Sequence, residues 1–327
     1  MAPSYTAPPN EVSVIQPRII SLLPSATEIA AALGFGQNIV GRSHECDFPR
    51  GIEELPICSS TKVPAHGASY EIDERVKEIV AEGLSVYRVD VHRLRALQPD
   101  LILTQTQCAV CAVTPRDLDE ALHSWVGKRP TVLSLEPNNL NEVWNDIRRV
   151  GRALNVALKA GEILESLQAR LTAIQEDAIK ASSRPSVAAI EWFAPLMAGG
   201  NWMPELIEIA GGRSLFAQPG EHSLWLDWPT LVKADPDVIL LHPCGFKIAQ
   251  TVADLHLLTE HPDWPNLRAA RDGKVYVTDG HHFFNRPGPR LVESTEIVAE
   301  ILHPDLFAFG HRGSGWLMLS EATNTCA

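Results

Sequence analysis

The chain has 327 residues, 45% of them hydrophobic and 6% aromatic, with a formal net charge of −12 at pH 7. That length accommodates two domains of ordinary size, and the apolar content is that of a folded globular protein. The acidic balance disfavours nucleic acid and anionic membrane surfaces as partners, and no run approaches the roughly 18 apolar residues of a membrane-spanning helix.

Residues 1–17 are Pro-rich and polar and are expected to form a flexible tail. They lack a basic segment followed by an apolar run, so they do not read as a secretory signal, and a cytoplasmic location is expected. Arg18 to Leu23 reads as a strand, and Thr27 to Leu33 as a helix stopped by Gly34. Further strands are expected at Asn38 to Arg42 and Leu55 to Ser59, and an amphipathic helix at Ile72 to Ala81. Next comes Leu94-Arg-Ala-Leu-Gln-Pro-Asp-Leu-Ile-Leu103, which returns later as Leu231-Val-Lys-Ala-Asp-Pro-Asp-Val-Ile-Leu240. Each copy reads as a short helix, a Pro-Asp turn and a buried strand, with Asp100 and Asp237 as turn residues. A helix from Thr114 to Ser124 and a strand from Thr131 to Leu135 complete an N-terminal lobe, residues 18–139.

Residues 140–182 carry helical apolar spacing from Val143 to Ile174 and no proline, which predicts one long bridging helix of about 60 Å. A second α/β lobe, residues 183–305, starts with a strand at Ser186 to Glu191. It continues with helices at Asn201 to Ile209, Lys247 to Leu258 and Pro289 to Leu302, and a strand at Lys274 to Thr278. Residues 306–327 are expected to be a weakly ordered tail. Alternating strands and helices predict an α/β fold of two Rossmann-like lobes with parallel sheets, joined by the long helix.

Ligands of such sheets sit beyond the carboxyl ends of the strands, and metal-type residues follow strand after strand. His44 and Cys46 follow the second strand, Cys108 and Cys111 follow the first repeat, His242 and Cys244 follow the second, and His281-His282-Phe283 follow the last. Cys46, Cys108, Cys111 and Cys244 form the expected metal set, since thiolates suit zinc or an iron–sulfur cluster. His44, His242 and His282 are further candidates, with Trp192, Trp202, Trp225 and Phe283 as aromatic surfaces for a flat cofactor. Glu191 and Asp227 are candidate cleft carboxylates, and Cys58 is expected in the core. No Ser-His-Asp pattern, phosphate-cradling glycine loop or H-E-x-x-H motif is present, so no catalytic site is positively indicated.

The opening Arg18-Ile-Ile-Ser-Leu-Leu-Pro-Ser-Ala-Thr-Glu-Ile-Ala-Ala-Ala-Leu-Gly34, with Val40-Gly-Arg-Ser43, Cys46-Asp-Phe-Pro49 and Gly288-Pro-Arg-Leu291, resembles the class III periplasmic-binding-protein family. The similarity is greatest to its cobalamin-binding branch and covers residues 18–305. It implies two α/β lobes, a bridging helix, and cobalamin or a related corrinoid in the cleft. Transport members of that family carry one exposed Glu per lobe that docks on a membrane permease. The matching positions are His92 and Pro229, which weighs against docking to an ABC permease. The expected function is therefore a soluble binding protein holding a cobalamin-like corrinoid or another metal complex between its lobes. The alternatives are a metalloprotein or enzyme with a protein-held zinc or iron–sulfur centre in the same cleft, and the substrate-binding receptor of an ABC importer.

Overall fold

A computed structural model describes residues 16–63, 67–81, 86–105, 118, 122, 125 and 127–325. The N-terminal lobe is built on a parallel sheet of order β2-β1-β5-β6, from Ile39–Arg42, Ile19–Ser21, Leu101–Thr104 and Thr131–Ser134. The central strands β1 and β5 are buried throughout, as their unbroken Ile/Leu runs require of a parallel sheet covered on both faces. A two-stranded ribbon, β3 (Ser59–Thr61) with β4 (Tyr87–Val89), lies beside it. In the C-terminal lobe, β7 (Ser186–Trp192), β11 (Val238–Leu241) and β12 (Val275–Thr278) run parallel. Antiparallel β8 (Met197–Ala198) and β10 (Leu224–Trp225) extend one edge, so this sheet is mixed rather than purely parallel.

The internal repeat is a structural repeat down to its hydrogen bonds. Helix α3 (Val91–Leu97) is N-capped by Asp90, whose side chain accepts from the Arg93 amide at 2.9 Å. The helix Trp228–Ala234 is capped in the same way by Asp227 on the Thr230 amide at 2.8 Å. Both helices end on a left-handed residue, Gln98 and Asp235. Asp100 then accepts from the Arg18 amide at 3.1 Å, and Asp237 from the Ser186 amide at 2.8 Å. Each turn aspartate thus ties its repeat to the residue at the start of the lobe's central strand. Asp227 is a cap, not a cleft carboxylate.

The bridge between the lobes is two helices, Leu140–Ala153 and Ala157–Ala178, rather than one. Asn155 adopts φ 58° between them, and Gly151 lets the second helix close in. A Cβ at Gly151 would lie 2.5 Å from that of Ala160. The apolar periodicity predicts both helices but is blind to the left-handed elbow, because the stripe resumes on the same face. The second helix alone spans about 33 Å, and its buried Leu164, Leu167, Leu171 and Ile174 join the main core. Residues 306–325, the described part of the expected loose tail 306–327, also differ from that expectation. Trp316–Met318 forms β13, antiparallel to β12, and Leu319–Thr325 is helical. The Trp316 indole donates to buried Glu300 at 2.8 Å, which holds the segment in place. Among the described residues, no helix is long and apolar enough to cross a membrane.

Candidate interlobe site

The segments beyond β1 and β2 meet the loop beyond β12, and one polar cluster joins them. Asp47 comes from the loop after β2, while His281, His282 and Arg286 come from the loop after β12. His281 Nε2 lies 2.6 Å and His282 Nε2 3.4 Å from the same Asp47 oxygen, Oδ2. Arg286 donates to the other oxygen, Oδ1, at 2.7 Å. Each imidazole is also held from behind: His281 Nδ1 lies 3.2 Å from the Gly245 carbonyl, and His282 Nδ1 lies 2.8 Å from Asp279 Oδ2. The Asp279 carboxylate further accepts the amides of His281 and His282, so the loop's own backbone aims both rings.

Burial alone would raise the Asp47 carboxyl, but hydrogen bonds from His281, His282 and Arg286 outweigh it and hold it well below the usual range. His282, hydrogen-bonded to Asp279 and Asp47, is pushed up to about 9. A second layer lies beneath. Buried Glu28, on helix α1 (Pro24–Ala30), accepts from Arg290 at 2.8 and 2.5 Å and faces Arg286 at 3.4 Å. Arg290 also stacks over Phe48, 4.0 Å from its centroid. At the other flank, the Ser69 amide opening α2 (Ser69–Ala81) donates to Asp254 at 2.7 Å, and Lys77 lies over Trp225. The lobes are therefore joined on both sides.

Gly280 makes this arrangement possible. A Cβ there would sit 2.2 Å from the Pro243 carbonyl oxygen and 2.9 Å from that of His242. Both obstacles are backbone and cannot turn aside. Gly280→Ala is expected to cost about 1–3 kcal/mol of stability through overpacking and to displace the His281-His282 pair. Urea unfolding checks the first effect, and histidine side-chain NMR shifts check the second.

The residues expected from the sequence divide sharply. His282 is in the cluster. His44 is half-buried beside it in sequence but pairs elsewhere, with Nδ1 2.9 Å from Ser59 Oγ and its ring against Tyr87, and burial lowers its pKa. Cys46 is a core thiol: it is buried, accepts from the Thr27 hydroxyl at 3.1 Å, and is pushed up to about 11 by burial. That environment disfavours the thiolate a metal needs, so Cys46 is corrected to a packing residue. Cys58 is buried as expected and likewise raised to about 11 by burial. Cys244 is exposed in the turn after β11, and Cys108, Cys111 and Cys326 lie outside the described residues.

His242 is fully buried against Gly199 and Phe284 and faces no open cleft. Trp202 is also core, its indole donating to the Phe284 carbonyl at 2.6 Å. Trp192 packs edge-on to Phe246, and its Nε1 is buried without a partner among the described residues. Phe283 is half-buried under Arg290, and Trp225 stands 60% exposed. Asp47, Arg286 and Glu28 are not among the residues expected from the sequence, and His281 is there only as a member of the run from which His282 is the candidate. Asp47 and His281 were visible as neighbours of the chosen Cys46 and His282. Glu28 resembles an ordinary helix-surface acid, with no local signal of burial.

Two α/β lobes, a helical bridge and a polar cluster shared by their carboxyl-end loops define a two-lobed binding protein. The chain belongs to the periplasmic binding protein family, whose model matches residues 19–281. It is 25% identical over 299 residues to the uncharacterised ABC transporter substrate-binding lipoprotein YvrC of Bacillus subtilis, covering 89% of this chain and 81% of that one. It is 24% identical over 293 residues to a vitamin B12-binding protein of Vibrio parahaemolyticus, covering 86% and 88%. Among solved structures, the periplasmic heme-binding protein RhuT of Roseiflexus sp. RS-1 superposes with a TM-score of 0.66 at 19% identity, covering 88% of this chain and 99% of that one. These findings overturn the expected cytoplasmic location: the family is periplasmic, and one relative is a substrate-binding lipoprotein. They also do not support the doubt about permease docking raised by His92 and Pro229, since a relative over most of the chain is an ABC transporter substrate-binding lipoprotein.

Proposed function

We propose that this protein is the substrate-binding component of an ABC importer, and that its cargo is a metal complex of the corrinoid or heme kind held between the lobes. The observation that carries the reading is the meeting of loops from both lobes around one cluster, with Phe48 and Phe283 beside it and Trp225 at the second contact between the lobes. Phe48 and Trp225 are exposed, and Phe283 is half-exposed, next to contacts between the lobes. Flat macrocycles bind to such aromatic faces. The likeness to vitamin B12-binding proteins over most of both chains supports a corrinoid first.

The test is calorimetry of the full chain with cyanocobalamin and, separately, absorbance titration with hemin. One saturable site for either supports the reading, and no binding of both refutes it. Trp225→Ala is expected to weaken cargo binding about tenfold, the loss of one modest aromatic contact. Its ring is mostly exposed, so the fold should persist.

A further inference from the structure

Asp47, His281 and His282 have the anatomy of a metal site, not only of an ion pair. We propose that they bind a divalent transition metal of the zinc class directly, as a clasp between the two lobes. One ligand atom from each of the three residues lies within 4.8 Å of the others. Both imidazoles turn Nε2 toward Asp47 and commit Nδ1 to an acceptor behind, the Gly245 carbonyl and the Asp279 carboxylate. That division of labour is how metal-bound histidines are oriented in general.

Tetrahedral bonds of about 2.0–2.1 Å place neighbouring ligand atoms about 3.3 Å apart. His282 Nε2 and Asp47 Oδ2 already stand at 3.4 Å, and His281 Nε2 needs to withdraw by less than an ångström from its 2.6 Å.

The metal-free contacts also conflict. His281 Nε2 lies 2.6 Å from an Asp47 oxygen, which demands a proton on the ring, and 3.0 Å from Arg286 Nη2, which demands a lone pair. A cation between Nε2 and the carboxylate satisfies both ligands, and Arg286 keeps its bond to Asp47 Oδ1. Three carboxylates, Glu28, Asp47 and Asp279, lie with two guanidiniums, Arg286 and Arg290, so with both imidazoles neutral, as metal ligands must be, the cluster keeps negative charge for a cation to balance. Three protein ligands leave a fourth position open. Because Asp47 belongs to one lobe and both histidines to the other, metal occupancy would favour the closed pairing of lobes.

The inference stands apart from the cargo reading, and its test uses neither corrinoid nor heme. Metal-stripped full-length protein is titrated with zinc sulfate by calorimetry, and with cobalt(II) by absorption. One site is expected, with a tetrahedral cobalt spectrum lacking a thiolate charge-transfer band. His281→Ala and His282→Ala should each weaken zinc binding by about 100-fold or more, and Asp279→Asn, a positioning residue, by about 10- to 100-fold. Both histidines are partly exposed, so the variants should fold, which circular dichroism verifies. Cys108→Ser combined with Cys111→Ser should leave zinc affinity unchanged. Absence of zinc binding, indifference to both histidine variants, or loss on removing the two cysteines would each overturn the assignment. None of these outcomes bears on whether cyanocobalamin or hemin binds.

Discussion

Glu28→Gln is expected to destabilise the protein by about 3–5 kcal/mol, the range for breaking a buried ion pair and leaving its partner uncompensated. The Glu28 side chain is 2% exposed, and its partners Arg286 and Arg290 are 6% and 14% exposed. The carboxylate meets Arg290 through two bonds in the planar, forked geometry that an amide cannot reproduce, since its NH2 group would face a donor. Two guanidiniums would then remain together, with Asp47, on Arg286, the one carboxylate still paired to either among the described residues. The same change should loosen the lobes, because Glu28 lies on the first helix of one lobe and both arginines precede the last long helix of the other. Urea unfolding gives the free energy, and small-angle scattering gives the separation of the lobes. A loss below about 1 kcal/mol, typical of an exposed pair, would mean that this layer is hydrated and does not hold the lobes together. A charge-free Glu28→Gln, Arg290→Gln pair should recover part of the loss, because no unpaired charge is then left at that contact.

Most of the fold was legible because it rests on local signals. The duplicated helix–Pro-Asp–strand motif, the β-branched runs and the glycine stops report directly on backbone state, and the predicted strands at Ile19, Ile39, Thr131, Ser186 and Val275 fall where expected. What escaped depends on distant partners. The Asn155 elbow leaves the helical stripe unbroken, and the β13 segment is ordered by Glu300 and β12 rather than by its own Gly- and Ser-containing sequence. The site was half legible for the same reason. Topology sends His282 and Asp47 to the same place, but residue type alone ranks thiols above carboxylates as metal ligands. Whether a thiol is a ligand or core filling depends on its burial, which for Cys46 is set by Thr27 and the packing of β1. The acid–base partners that aim each ring, Asp279 and the Gly245 carbonyl, lie 3 and 36 residues away from their histidines. Only the first of those separations is visible in a local window.

His242 leads to the second large effect, a dependence of stability on pH. Its imidazole is fully buried, and neither ring nitrogen has a partner among the described residues. Burial without a compensating charge lowers its pKa from 6.5 to about 3. Between those values the unfolded chain binds a proton that the folded chain refuses. This residue's contribution is therefore full above pH 6.5 and declines as pH falls toward 3. At pH 4.5 the decline amounts to about 2–3 kcal/mol. His242→Leu removes the titrating group while keeping an apolar side chain against Gly199 and Phe284, and because no hydrogen bond is lost it should be near neutral at pH 7. Urea curves of the two proteins should accordingly converge at pH 7 and separate below 6.5, with the variant the more stable. Parallel curves across that range would show that water reaches the ring in the folded state. The effect bears on the site as well as on the fold. Phe284, the ring beside His242, follows directly on His281, His282 and Phe283, and its carbonyl holds the Trp202 indole. Protonating His242 would place a charge under the loop that aims both histidines at Asp47, so the site should disorder before the lobes unfold.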